Sequence, residues 1–379
     1  MQTKAESSSG QAQLKRGNRM ALIRQVRVLP GQSRVDLANT LGLTKSTVSA
    51  LVRELIDEGW LLEREVVVTG DIGRRPTPLF IDPTRLLLLG AQVGIGHLRV
   101  VLTSLTGEVL SARSVGYDTG LDAEACILTL TRTLLAVAAR CGKTQRIIGI
   151  GLGLPGGVDQ AHDQLVFAPH LHWHEVPFGA LLRAALQGTP LSGAPVFMQN
   201  DADVAALGES EFNPSPAADP LLLVLVGEGV GAGLVVGGRL LTGTRGFAGE
   251  VGHMVLQIDG PRCSCGRRGC AEALIGGRAL LQQDGDAPTP QALAQAGHFL
   301  GVLLQNLAVA YDPACIVLGG SAMVLGDALL APVRATLRQY AQAAGLPEPA
   351  LRVARFGADA IAVGAAALAG YRLTQPTLL

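Results

Sequence analysis

The spacing of apolar residues changes period several times along the chain, and each change marks an element. Residues 1–13 are rich in Ser, Gln and Gly without apolar periodicity and read as a flexible tail. A helical pattern runs from Leu14 to Val28 and stops at "LPGQS". Ser33 is placed to cap a second short helix, with Asp36 three positions on as a capping-box partner and Val35, Leu37, Ala38 and Leu41 as its apolar contacts; Gly42 ends it. Thr44 caps a third helix in which Val48, Leu51, Val52, Leu55 and Ile56 follow i, i+3, i+4, i+7, i+8 spacing. With that face turned inward, Lys45, Ser46, Thr47, Ser49, Ala50 and Arg53 remain outside.

Two helices joined by a glycine turn, the second with a small, polar and basic outer face, form the helix-turn-helix arrangement that enters a DNA major groove. "LLEREVVVT", the turn "GDIG" and "RRPTPLFID" then read as a hairpin, so the unit looks winged, and Arg74 and Arg75 at the wing base are placed to reach phosphates or a minor groove. The alternative for the basic face is a solvated surface. Asp82-Pro83 marks a boundary, dividing a DNA-binding domain at 14–82 from the remainder at 83–379. In that remainder "LLLLGAQVG", "HLRVVLTSL" and "VLSARSVGY" predict three strands, followed by a helix over about 122–140 and a buried strand "RIIGIGLGLPG". A comparable set of strands begins with "PLLLVLVGEGVGAGLVVGGRLLTG", and the repetition predicts two similar α/β lobes with a cleft between them.

Composition narrows this picture. The 379 residues are 48% hydrophobic and 16% charged, enough for a large core in two or three domains. The polar start and the apolar run broken by Gln92, His97 and Arg99 support neither a signal peptide nor a membrane span, so a cytoplasmic location is expected. Net charge is zero, yet residues 14–53 carry Lys15, Arg16, Arg19, Arg24, Arg27, Arg34, Lys45 and Arg53 against the single acid Asp36.

The stretch "RCSCGRRGCAE" gathers three of the six cysteines. His253 lies ten positions before Cys263, with Cys265 and Cys270 following, and one imidazole with three thiolates suits tetrahedral Zn²⁺. Four protein ligands leave no open position, so the zinc is expected to be structural. Glu250 and His253 share a face if "GFAGEVGH" is helical, Glu272 follows the last cysteine closely, and zinc would fix the tautomer of His253 towards a ligand. Asn200-Asp201 closes the strand "PVFMQN"; Asp201 either accepts hydrogen bonds from a ligand in a crevice or caps the following helix. "HLHWHE" puts His170, His172 and His174 on one face if it is extended, without a fourth donor nearby to complete a second metal site.

Taken together, the winged helix-turn-helix, "GLGLPGGVD", "NDADVAALGE", "GEGVGAGLVVGGRLLTGTRGFAGEVGH", "CSCGRRGCAE" and "IVLGGSAMV" resemble the ROK family of repressors and sugar kinases, in family order from about residue 14 onward. The resemblance is to the regulator branch that includes xylose and N-acetylglucosamine repressors. It implies an α/β protein: two actin-like (ribonuclease H-like) lobes after the winged domain, zinc on His253, Cys263, Cys265 and Cys270, and a sugar held by Asn200, Asp201, Glu250, His253 and Glu272, with Gly156 nearby. It also implies a segment around Trp173 packed near the sugar cleft. In kinases of the family the position of Asp201 is the base that deprotonates the sugar hydroxyl. The phosphate motifs depart from the kinases: Gln92 stands for their aspartate, Ile95 for a glycine, His97 follows Gly96, and Glu228 replaces a threonine. An amide and an extra negative charge suit Mg²⁺ and phosphates poorly, so no ATP binding and no useful kinase activity are expected. The expected function is a sugar-responsive repressor that binds operator DNA as a homodimer or a dimer of dimers. A sugar kinase with a DNA-binding appendage and a regulator that senses a protein partner are the alternatives.

Overall fold

The computed structural model describes residues 2–64, 77–118, 120, 122–213, 218–280 and 287–375. Helix α1 (Gln2–Val28) begins well before Leu14. The segment read as a tail is therefore helical from Gln2: Ala, Glu, Gln and Lys are good helix formers even without an apolar stripe to pack. Helix α2 (Arg34–Leu41) carries the full capping box between Ser33 and Asp36 and ends on Gly42 at φ 64°. Its Val35 faces solvent, 44% exposed, while Leu37 and Ala38 carry the contact. Helix α3 (Lys45–Asp57) is capped by Thr44 and buries Val48, Leu51, Val52 and Leu55. Strands β1 (Leu61–Glu63) and β2 (Leu79–Ile81) pair antiparallel as the base of the expected hairpin. Residues 65–76, with Arg74 and Arg75, lie outside the described residues.

The first lobe is built on β3 (Leu86–Val93), β4 (His97–Ser104), β5 (Val109–Gly116), helix α4 (Ala123–Ala138) and β6 (Arg146–Leu154). A small antiparallel sheet follows, of β7 (Gly157–Asp159), β8 (Gln164–Ala168) and β9 (Trp173–Val176), then α5 (Phe178–Ala185), β10 (Val196–Asn200) and α6 (Asp201–Glu211). The large sheet has the order β10-β6-β3-β4-β5, with β10, β6 and β3 parallel. The second lobe repeats the plan. It contains β11 (Leu221–Val226), β12 (Val230–Val236), β13 (Arg239–Leu240), short α7 (Ala271–Ile275) and α8 (Gly277–Leu280), α9 (Pro290–Tyr311), β14 (Cys315–Gly319), α10 (Asp327–Ala344) and β15 (Leu351–Val353), in sheet order β13-β12-β11-β14-β15. Helix α9 has the length and hydropathy of a membrane span, but Leu300, Leu303 and Leu304 are fully buried in the core it shares with α10, the place of a core helix.

The last helix, α11 (Ala360–Leu373), returns to the first lobe and packs against α6. Close approach there requires residues without side chains. A Cβ on Gly151 of β6 would fall 1.7 Å from the carbonyl oxygen of Ala365, and one on Gly364 would fall 2.0 Å from that of Val204. Alanines fill the rest of the seam, so α6 is wedged between α11 and the second sheet with little room to tilt independently. Gly151→Ala should accordingly lower stability by about 1–3 kcal/mol, the usual cost of overpacking, seen as an earlier urea transition. Unchanged unfolding would show that the seam can open.

Candidate functional site

The cleft lies where the two lobes face each other, a cavity of 340 Å³ whose walls include Gly156, His170, Asn200, Asp201, Glu250, His253 and Glu272. All six residues expected around a ligand are thus brought together. Asn200 ends β10 and is itself the cap of α6: its Oδ1 accepts from the Ala202 N–H at 2.8 Å. Its Nδ2 donates to the Gly156 carbonyl at 3.0 Å, which leaves one amide hydrogen for a ligand. Asp201 is therefore the first helical residue and not the cap, and its carboxylate takes part in lining the cleft. Burial raises its pKa to about 6, against the opposing pull of the Ala202 N–H and of His170.

Behind it, Asp203 is pushed well above the usual carboxylate range by burial and then by the charges of Asp201 and Glu250, although Gln199 donates to it at 2.7 Å. Glu250 is raised by burial, with His253 opposing and the carboxylates of Asp201 and Glu272 adding. Glu272 goes the other way. Despite burial, hydrogen bonds from His170 and Ser264 hold it down at about 2, and Ser264 Oγ donates to its Oε1 at 2.7 Å.

The segment holding Glu250 and His253 is a single 3-10 turn, Val251–His253, and not an α-helix, yet it still brings Glu250 Oε2 to 3.8 Å from His253 Nε2. The other ring nitrogen, Nδ1, faces Cys263 Sγ at 3.6 Å, and Cys265 Sγ stands 3.8 Å from Cys270 Sγ. The ligand atoms of His253, Cys263, Cys265 and Cys270 all lie within 4.8 Å of one another, so the four can hold a metal ion, and three sulfurs with one nitrogen suit four-coordinate binding. Gly266 and Gly269, both at positive φ, supply the tight turns between ligands.

Sequence reasoning missed His170 and Ser264. The alternation in "HLHWHE" is not extended: Pro169–Leu171 is a 3-10 turn and His172 has φ 55°, so the three imidazoles separate. His170 reaches Glu272 at 3.8 Å, His174 packs on Phe167, and Trp173 is buried in the first lobe beside Phe178. Ser264 was visible only as the spacer between two cysteines. Gln92, on β3 of the first lobe, and Glu228, in the turn between β11 and β12 of the second, line the same cavity, and the ring of His97 lies over Gly94, where a Cβ would meet it at 2.2 Å.

The face of α3 is also as expected: Lys45, Ser46 and Arg53 are exposed, Ser49 and Thr47 partly so, and Thr47 Oγ1 is held by Thr44 at 2.8 Å. The surrounding positive charge is narrower than the sequence suggests. Lys15 and Arg19 pair with Glu54, Arg34 with Glu63, and Arg24 and Arg27 with Glu211. Lys45 and Arg53 have no ion pair among the described residues.

The sequence profile of the ROK family matches residues 88–372. The chain belongs to the ROK family. A winged helix-turn-helix DNA-binding profile matches residues 18–61 as well. The chain is 30% identical to a putative xylose repressor of Caldicellulosiruptor sp. (strain Rt8B.4) over 356 residues, 85% of this chain and 88% of that one. Among solved structures, a ROK family transcriptional regulator described as a homolog of the E. coli MLC protein shares the fold with a TM-score of 0.75 at 24% identity, over 96% of this chain and 97% of that one. A ROK glucokinase from Streptomyces griseus, solved with glucose and AMPPNP, matches at 25% identity and a TM-score of 0.66, over 75% of this chain and 99% of the kinase. The two lobes are thus the actin-like pair of ROK proteins, with a winged helix-turn-helix in front.

Replacing Cys265 or Cys270 by Ser should reduce bound divalent metal from about one equivalent per chain to a small fraction, measured by elemental analysis after dialysis. Full retention in both variants would place the metal elsewhere.

Proposed function

We propose that this protein is a DNA-binding transcriptional repressor, acting as a homodimer in the cytoplasm and released from its operator by a sugar. The observation that carries this reading is helix α6. It starts in the polar cleft at Asp201 and ends at Glu211, whose Oε2 accepts a hydrogen bond at 2.8 Å from Arg27 of α1, with Arg24 at 3.8 Å. Phe212, just beyond, is buried in one core with Leu22, Ile23 and Val26 of α1 and Leu55 of α3. One rigid element thus touches both the ligand cleft and the DNA-binding unit.

Each recognised hydroxyl both donates and accepts, and the cleft offers matching partners: carboxylates at Asp201, Glu250 and Glu272, and N–H donors at Asn200 and His253. Zn²⁺ on His253 Nδ1 and the three cysteines would be structural, leaving Nε2–H as a donor aimed at the cleft. Gln92, an amide in place of the acid that manages Mg²⁺, and Glu228, a negative charge where phosphates would lie, support a sensor without phosphoryl transfer. Lys45, Ser46, Thr47, Ser49 and Arg53 would face the major groove, with Arg74 and Arg75 contributing from the wing. A sugar shifts the operator equilibrium to the extent that it binds the two arrangements of lobes and winged domain unequally.

Fluorescence anisotropy on DNA from upstream of the gene, at fixed salt and with a panel of sugars, tests this. Release by a sugar is expected, with the response abolished and DNA binding retained in Asp201→Ala, and with weaker DNA binding in Lys45→Ala and Arg53→Ala. Tight DNA binding indifferent to every sugar would sink the sensor reading in favour of a partner-sensing regulator, and ATP-dependent sugar phosphorylation at about one turnover per second would favour a kinase.

Glu211→Gln tests the route. Sugar affinity should stay at the wild-type value while the ratio of DNA affinities without and with sugar, of order 5–150-fold for such couplings, falls towards one. A preserved ratio would move the coupling off this ion pair.

A further inference from the structure

The cleft does not end at Glu250 and His253. A second cavity of 670 Å³ adjoins it, lined by Phe167, Phe247, Met254, Val255, Cys265 and Arg267, with Glu250 and His253 again in its wall. Phe167, Glu250 and His253 belong to both cavities, so a ligand spanning the two would pass them as a doorway. The two differ in chemistry. Around the inner one stand the carboxylates of Asp201, Glu228, Glu250 and Glu272, whereas the outer is mainly apolar and carries exposed large side chains: Phe247 37%, Met254 38% and Val255 51%.

Such a cluster of uncovered apolar groups beside a polar site marks a place that something covers. Phe247 is supplied by the second lobe, yet its ring lies against Gly157 of β7 in the first, where a Cβ would meet it at 2.4 Å. The outer cavity is therefore walled by both lobes, like the inner one. Arg267 Nε donates to Cys265 Sγ at 3.4 Å, and this bond to a metal-ligand sulfur fixes the guanidinium at the cavity's edge, leaving its remaining N–H groups as donors.

Resting on the sugar-sensor reading above, we infer that the effector is a disaccharide, with one ring in the inner cleft and a second ring in the outer cavity between Phe167, Phe247 and Met254. The inner cavity, at the small end of the range of roughly 300–1,000 Å³ for ligand sites, suits one pyranose. A second sugar ring has what the outer cavity asks for: C–H faces to lie on aromatic and aliphatic side chains, and edge hydroxyls to accept from Arg267. The hydroxyl held between Glu250 and His253 stands in the doorway, so the glycosidic oxygen passes there.

Calorimetric titration of the full-length, metal-loaded protein with xylose, glucose, xylobiose, cellobiose and maltose provides the test. At least one disaccharide should bind about tenfold or more tightly than its own monosaccharide, a difference of about 1.4 kcal/mol. That advantage should vanish in Phe247→Ala and in the doubly substituted Met254→Ala, Val255→Ser, whose side chains are exposed and whose folding is checked by unchanged monosaccharide affinity. A monosaccharide bound as tightly as every disaccharide, or a variant that weakens both alike, overturns the second subsite while leaving the sensor intact. Binding of none of the five sugars overturns the sugar-sensor reading itself, and the disaccharide with it.

Discussion

Helix α6 is the element on which the rest of the protein depends. Its first residues line the ligand cleft, its flank packs on the second sheet and on α11, and its last turn is paired with α1. Glu209, almost fully buried, adds a further tie, accepting from Arg352 at 2.7 Å and from the backbone of Arg355 at 2.6 Å, both beyond β14 in the second lobe. A buried carboxylate with two such partners resists separation, because breaking either leaves a charge without compensation. The helix is fixed laterally by a seam of glycine and alanine, where backbones approach closely and no flexible side chain absorbs a displacement. Asp201 and Glu211 are therefore the two ends of one closely packed element.

The cleft brings carboxylates together, and their surroundings separate their protonation. Glu272 is held at about 2 by His170 and Ser264, Asp201 sits at about 6, and Asp203 behind it is pushed well above the usual carboxylate range by burial and its acidic neighbours. Like charges in a buried space cannot all ionise at little cost, and the graded set is the result. Each group then has a stable role as acceptor or as buried acid. The cysteine loop is linked to the same arrangement twice: His253 presents one nitrogen to the cysteines and the other to Glu250, and Ser264, between two cysteines, holds Glu272. The loop thereby orients part of the cleft's polar wall.

The winged unit shows a related division of labour among charges. Lys15, Arg19, Arg24 and Arg27 of α1 pair with Glu54 and Glu211 and hold α1 against α3 and α6. Lys45 and Arg53, exposed on α3, have no ion pair among the described residues. Net charge over a segment is thus a poor guide to a DNA face until ion pairs are removed from it.

Local patterns in the sequence determined a large part of this. Helices α2 and α3 were legible because capping and apolar spacing are short-range effects, and the cysteine-histidine motif because ligand chemistry is carried by a few residue types at close spacing. The positions of β3 to β6 and of β10 to β13 followed from hydrophobic runs, whereas those of β7, β8, β9 and β15 did not. Tertiary structure decided what depends on distant neighbours. It assigned the cap of α6 to Asn200 and so freed Asp201 for the cleft, split the three histidines of "HLHWHE" by a left-handed residue, and turned Val35 outward. Glu211, silent in the sequence, gained its meaning only from Arg27, 184 positions away. Periodicity and motif spacing report forces that act within a few residues. A charge finds its partner, and a cleft its second wall, only once the chain has folded back on itself.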